Sequence, residues 1–176
     1  AGMLTINGQK MSKSVGNTLR VPEVLKQYSA NEIRLALFQT HYRKPFDYTN
    51  ASMEQGVALR RKLFTIYTEL DPTKGEEIKD SIIEILLNDL DSPKALQEWT
   101  ENIDKLGKKE FDELFQVFGL SYSDGSSDQQ LHKLLLDRRS ARNKKDFSRA
   151  DELKQQIESL GYEVIDRTDD STFIPR

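Results

Sequence analysis

Four stretches of apolar residues at helical spacing, one after another and separated by turn residues, constrain the fold of this chain more than any other feature. Between Ala51 and Leu70, the positions Leu59, Leu63, Ile66 and Leu70 recur three or four apart, and Val57, Phe64 and Tyr67 widen the stripe. Ile78, Ile82, Ile85 and Leu86 form a second stripe, Leu96, Trp99, Ile103 and Leu106 a third, and Phe111, Leu114, Phe115 and Phe118 a fourth. Asp71-Pro72, Ser92-Pro93, Gly107 and Gly119 fall between them as turns. A helix with one apolar face must bury it against another, and short connections make neighbours antiparallel. The expected architecture is therefore mainly α, with an antiparallel helix bundle over residues 46–120. Burying such side chains is worth about 1.5–3 kcal/mol each, which assigns them to a core rather than to a ligand site.

A polar stretch from Ser121 to Asp128 interrupts the pattern and reads as a flexible connector, giving an expected linker at 121–127. After it, Leu131, Leu134, Leu135 and Ala141 stripe one helix, and Ala150, Leu153, Ile157 and Leu160 a second. Asp146 is placed to cap the second helix, and Gly161 stands where a left-handed C-terminal cap is needed. Tyr162 to Asp166 and Ser171 to Ile174 are expected to pair as a hairpin across Arg167 to Asp170, completing a small α+β subdomain over 128–176. Upstream of the bundle, Met3-Leu4-Thr5-Ile6 alternates like a strand and Asn7-Gly8 is a hairpin turn pair. Pro22 suits a first helical turn whose stripe of Val21, Val24, Leu25 and Tyr28 is expected to pack against the body. Ser29 and Glu32 form a capping box for a helix carrying Ile33, Ala36 and Leu37, and His41-Tyr42-Arg43-Lys44-Pro45 closes it.

With 176 residues, 31% charged and 36% hydrophobic, the chain has room for one or two small soluble domains. No apolar run is long enough to span a membrane, and Ala1-Gly2-Met3-Leu4 has no basic region followed by an apolar core, so neither a membrane partner nor a secretory signal is expected. The absence of cysteine excludes disulfides and thiolate metal sites, and is compatible with the expected cytoplasmic location. A net charge of −3 conceals a polarised chain. Asp71 to Glu113 holds thirteen acidic and six basic residues, whereas Arg138, Arg139, Arg142, Lys144, Lys145 and Arg149 crowd the corner between the last two helices against Asp146 alone. A phosphate backbone would avoid the first region and favour the second.

Lys10-Met11-Ser12-Lys13-Ser14, followed by Gly16 and Asn17, puts two ammonium groups and two hydroxyls on one short loop. A lysine- and serine-rich surface turn has this composition. So does a device that closes on the β- and γ-phosphates of ATP and stabilises charge on departing pyrophosphate. The string resembles the KMSKS loop of class I aminoacyl-tRNA synthetases at all five positions. Since it arrives before any domain core has been supplied, residues 1–45 are expected to be the C-terminal edge of a catalytic domain, and the chain the C-terminal part of a longer enzyme.

Taken together, this loop, His41-Tyr42-Arg43 with Pro45, Asn88-Asp89-Leu90-Asp91-Ser92-Pro93, and Ala141-Arg142, Lys145-Asp146-Phe147 and Ala150-Asp151 resemble the cysteinyl-tRNA synthetase family along the whole chain. The resemblance implies that Lys10 and Lys13 act in catalysis and that Lys10, Met11, Ser12, Lys13 and Ser14 bind ATP with its Mg2+. It implies an anticodon-binding bundle, and anticodon recognition by Arg142, Asp151, Asp166 and Phe147. The basic residues Arg138, Lys144 and Lys145 are expected on the tRNA backbone. These types suit the task, since an arginine fork bonds a guanine edge, a carboxylate accepts from base amino groups and an aromatic ring stacks on an unpaired base. Simpler roles stand beside them: Asp151 favouring the first turn of a helix, Arg142 pairing with Asp146, and Phe147 in the core, which is the reading preferred for that residue. The family's HIGH-type motif, cysteine pocket and zinc ligands precede the loop, so no metal site is expected in this sequence, and His41 and His132 read as ordinary polar residues. Asn88-Asp89-Leu90-Asp91 is a reduced form of the family's acidic string. Thr168-Asp169-Asp170 and Phe173 replace its proline-glycine turn and tryptophan, so RNA contacts from the tail are not carried over. The implied partners are tRNA(Cys), cysteine and ATP, with the fragment alone expected to be inactive. A related ligase joining cysteine to an amino sugar and a noncatalytic tRNA-binding module are the alternatives.

Overall fold

The computed structural model describes residues 2–14, 16–70, 78–122, 129–166 and 171–175. The turns expected at Asp71-Pro72 and at Arg167 to Asp170, most of the Ser121–Asp128 connector and the side chain of His132 lie outside the described residues. The chain divides into two compact units, Ala1–Ser121 and Tyr122–Arg176. It is mainly helical with small sheets.

In the first unit, β1 (Leu4–Ile6) and β2 (Gln9–Lys10) form an antiparallel hairpin, and β3 (Phe46–Tyr48) adds to β1 in parallel, with Leu4 opposite Phe46 and Ile6 opposite Tyr48. The parallel strand was not legible in the sequence, because three residues are too few for a periodicity. The expected boundary between residues 45 and 46 runs through this sheet. α1 (Val21–Val24) is one turn with Pro22 in it, and it buries Val24 but leaves Val21 and Leu25 exposed. The expected four-residue stripe therefore does not form; a single turn presents one position to the body, and Val24, with Tyr28 packed beside it, is that position.

α2 (Ala30–Phe38) begins at the expected capping box: Ser29 Oγ accepts from the Glu32 N–H, and the Glu32 carboxylate accepts from the Ser29 N–H at 2.7 Å. α3 (Asn50–Tyr67) is capped by Thr49 and packs along α2. Gly56 makes that approach possible, since a Cβ there would overlap the Glu32 carbonyl oxygen and stand 2.9 Å from the Ala36 Cβ. Between the same helices Arg60, 1% exposed, bonds the Glu32 carboxylate at 3.0 Å. One carboxylate thus caps α2 and neutralises a buried guanidinium.

α4 (Ile78–Leu87), α5 (Ser92–Glu101) and α6 (Lys108–Val117) follow, with a 3₁₀ turn at Ile103–Lys105 where the third stripe had been expected to continue as helix. The core is aromatic. Trp99 stacks edge-on against Phe111 at 5.1 Å and lies 5.3 Å from Phe118, while Phe64 and Tyr67 bring α3 onto Phe115 at 5.3 and 5.2 Å. Edge and offset geometries of this kind add about 0.5–1.5 kcal/mol per pair beyond burial.

The second unit packs α7 (Gln129–Asn143) on α8 (Phe147–Ser159) and on the antiparallel pair β4 (Tyr162–Asp166) and β5 (Ser171–Pro175). Leu131, Leu135, Ile157, Val164 and Phe173 form its core, with Ala141, Ala150 and Leu153 in a second cluster where the two helices meet. Asp146 caps α8 by accepting from the Arg149 N–H at 3.1 Å, and Gly161 ends it at φ +88. Phe173, which stands where the resemblance leads one to expect tryptophan, is a core residue here.

Candidate functional site

The lysine loop leaves a hairpin whose turn residues, Asn7 at φ 50 and Gly8 at φ 77, adopt the left-handed pair of a tight two-residue connection. Asp47 on β3 holds that turn. Its carboxylate accepts from the Gly8 N–H at 2.9 Å and from the Thr5 hydroxyl at 2.7 Å, and these bonds, Gly8 first, hold the carboxyl below its usual range. Lys10 is the last residue of β2. Beyond it Asn17 closes the loop: its Oδ1 accepts from the Ser12 N–H at 2.9 Å and its Nδ2 donates to the Lys10 carbonyl at 3.1 Å. Gly16, at φ +75, turns back so that its N–H reaches the Lys13 carbonyl at 3.2 Å. Lys10, Lys13 and Ser14 are exposed, and Met11 and Ser12 are half-buried. The arrangement is a backbone pinned from within that presents two ammonium groups to solvent. Asn17 was quoted with the loop from sequence but given no role, and Asp47 was not singled out. An asparagine just after a turn glycine is a faint signal for the first, and nothing local signals the second, which arrives from 39 residues beyond Gly8.

Two strings quoted separately from the sequence meet in space. Arg43 grips Asp89 in a fork, Nη2 to Oδ1 at 2.7 Å and Nε to Oδ2 at 2.9 Å, and Tyr42 donates its hydroxyl to Oδ1 at 2.7 Å. His41 Nε2 stands 3.7 Å from Oδ2. The Arg43 bonds and then the Tyr42 bond push the Asp89 carboxyl down to about 2. Asp89 and Leu90 both have positive φ, 61 and 51, so the turn between α4 and α5 carries a backbone form that non-glycine residues adopt uncommonly. The clasp joins the segment after α2 to that turn.

In the second unit, the expected RNA-facing residues fall on the C-terminal part of α7, the turn after it, the start of α8 and, for Asp166, the end of β4. Arg142, Lys144, Lys145 and Asp151 are exposed. Arg142 does not take Asp146, whose side chain caps α8; it bonds Asp166 Oδ2 at 3.3 Å. Phe147 is 60% exposed, which overturns the core reading. The buried face of α8 is carried by Ala150, Leu153 and Ile157, and Phe147, at the first helical position, precedes it. Arg138, expected on the tRNA backbone, is 1% exposed and forks onto Asp166, Nη1 to Oδ1 at 2.7 Å and Nη2 to Oδ2 at 3.0 Å. A guanidinium so enclosed is spent on the protein, not on a phosphate. Sequence gave Arg138 the same basic character as its neighbours, and only helical phase separates it from them.

Among the described residues, no group of three or more His, Cys, Asp or Glu is placed to hold a metal ion, and no helix is long and apolar enough to cross a membrane.

Comparison with known proteins assigns both regions. Residues 1–58 match the family model for the class I (C) tRNA synthetase catalytic domain, and residues 124–173 match that for the cysteinyl-tRNA ligase anticodon binding domain. Among curated proteins, the cysteine–tRNA ligase of Ehrlichia canis is 32% identical over 97% of this chain and 42% of its own length. That of the Wolbachia of Drosophila simulans is 33% identical over 97% and 42%, and that of Rhodospirillum rubrum 29% over 98% and 43%. The chain spans less than half the length of these relatives. With its two ends matched in order by the two domains and nearly its whole length by such ligases, the chain belongs to the cysteinyl-tRNA synthetase family.

Proposed function

We propose that this chain supplies the ATP-gripping loop and the RNA-reading surface of a cysteine–tRNA ligase. In that reaction cysteine attacks the α-phosphate of ATP, giving cysteinyl-adenylate and pyrophosphate, and the cysteinyl group then passes to the 3′ end of tRNA(Cys). The observation that carries the reading is the pair of exposed ammonium groups, Lys10 and Lys13, on a loop pinned by Asn17 inside the stretch matched to a catalytic domain. Lys13 would hold the β,γ-phosphates with Lys10 as accompanying cation, and Ser12, Ser14 and the Met11 backbone would complete the contact. Mg2+ would travel with the phosphates, and zinc belongs to a part of the parent that this sequence does not contain. Arg142, Asp151, Asp166 and Phe147 would face anticodon bases, and Lys144 and Lys145 the backbone. The proposed setting is cytoplasmic. The match of residues 124–173 to an anticodon-binding domain disfavours the amino-sugar ligase.

The test is Lys13→Ala in the complete ligase. Removing a cation that acts on the departing pyrophosphate should slow ATP–pyrophosphate exchange about 100-fold or more, with tRNA affinity within about twofold. Equal losses in both would contradict the assignment. A noncatalytic RNA-binding role for the chain by itself is the second reading, favoured by the concentration of the RNA-facing residues in one compact unit, Tyr122–Arg176. It predicts that the chain binds tRNA without a catalytic partner.

A further inference from the structure

Resting on the RNA-reading surface proposed above, the geometry points to Arg138 as a positioning residue: it acts on RNA only through Asp166, which it fixes so that Asp166 can aim the Arg142 guanidinium at an unpaired guanine. Three observations carry this. Arg138 is 1% exposed and forms a two-bond fork on Asp166 at 2.7 and 3.0 Å, a planar pairing that fixes both the distance and the tilt of the carboxylate. Asp166 is 39% exposed, so its outer side reaches the surface, and there Oδ2 meets Arg142 Nη1 at 3.3 Å. Arg142 is 44% exposed, and among the described residues Asp166 is the side-chain partner of its guanidinium.

The order of burial runs inward to outward along Arg138, Asp166 and Arg142. Two guanidiniums on one carboxylate leave the trio with a net positive charge. A buried fork is a costly way to hold a surface acid unless the acid's orientation matters, because desolvating the inner guanidinium offsets much of the attraction. The orientation matters to Arg142. A long arginine side chain left free loses several rotamers on meeting a base, whereas one tethered at Nη1 has lost them beforehand. The remaining donors of a tethered fork match the two acceptors, O6 and N7, of guanine, and an unpaired base offers that edge without a groove to enter. Asp166 Oδ1 accepts from Arg138 and Oδ2 accepts from both arginines, so within this trio the carboxylate orders the Arg142 fork.

The experiment uses the 176-residue chain with two stem-loop RNAs that differ only by guanine or adenine at one unpaired loop position. Expected results are that Arg142→Met and Arg138→Met each lower affinity for the guanine loop about tenfold, with the adenine loop changed less than about twofold. The double variant should be no worse than either single one, because both remove the same contact. Arg138→Lys, which keeps the charge and loses the fork, should retain binding to both loops but lose most of the preference for guanine. In RNA-free protein, the Arg142 Nε–H signal in nitrogen-15 NMR should become mobile in Arg138→Met and Arg138→Lys while thermal melting confirms a folded chain. If Arg142→Met loses guanine preference and the folded Arg138 variants keep it, or if the Arg142 Nε–H signal is unchanged in them, the positioning role is overturned and the RNA reading stands. If both loops weaken equally, Arg138 is merely structural and the inference also fails. If Arg142→Met changes neither loop, the RNA reading itself fails.

Discussion

Glu32 does two jobs with one carboxylate, and the physics of each differs. The oxygen that caps α2 faces a backbone N–H, and the other neutralises Arg60 in the interior. Removing one member of a buried ion pair leaves the other uncompensated, so Arg60→Met is expected to lower stability by about 3 kcal/mol, read as a shift in the urea midpoint at unchanged slope. Asp89 shows the opposite regime, an exposed carboxylate held by Arg43 and Tyr42. Its folded value, down to about 2 from an ordinary 3.8, means that the clasp's contribution is fully present above the ordinary value and is lost as pH falls from there through about 2. Asp89→Asn should therefore show a shallower fall in stability over that window than the parent chain, and parallel curves would contradict the clasp. Phe147 offers a third test. Exposed as it is, Phe147→Ala should change stability by less than about 0.5 kcal/mol, while the loss of a stacking ring should weaken RNA binding about fivefold or more. A large stability loss would restore the core reading.

Elements in this chain are placed by a few close approaches. α2 and α3 come together because Gly56 presents no side chain to the Glu32 carbonyl. Gly56→Val must part the helices, and a loss of about 1–3 kcal/mol by thermal melting is expected. Helices were the legible elements: stripes of Leu, Ile and Phe declared their faces, and Ser29, Asp146 and Gly161 declared their ends. Strand β3 was not legible, since its three residues become a strand only when β1 lies beside them. The α1 stripe was over-read for the same reason in reverse, as the helical period of Val21 and Leu25 continued beyond the one turn that forms. The lysine loop belongs to this scale as well. Its chemistry was legible from Lys10 to Ser14, but its shape depends on Asn17 within the loop and on the Asp47 contacts beneath the hairpin.

Across the whole molecule, charge is divided rather than balanced. The net −3 does not describe the corner where Arg142, Lys144, Lys145 and Arg149 stand exposed. RNA affinity of the chain should fall linearly with salt on logarithmic axes, and Lys144→Gln should reduce that slope by about one phosphate contact. An unchanged slope would remove Lys144 from the interface. The sequence alone determined the mainly helical class, the capped helices, the polarised charge and the lysine loop, because each is written in neighbours a few positions apart and set by local periodicity and chemistry. Tertiary structure alone decided that Arg138 is enclosed while Arg142 is open, that Phe147 faces out, that Asp89 meets Arg43, and that Asp47 steadies the hairpin. Those outcomes depend on burial and on partners distant in the chain, and a residue's type does not reveal which side of a helix will meet another element.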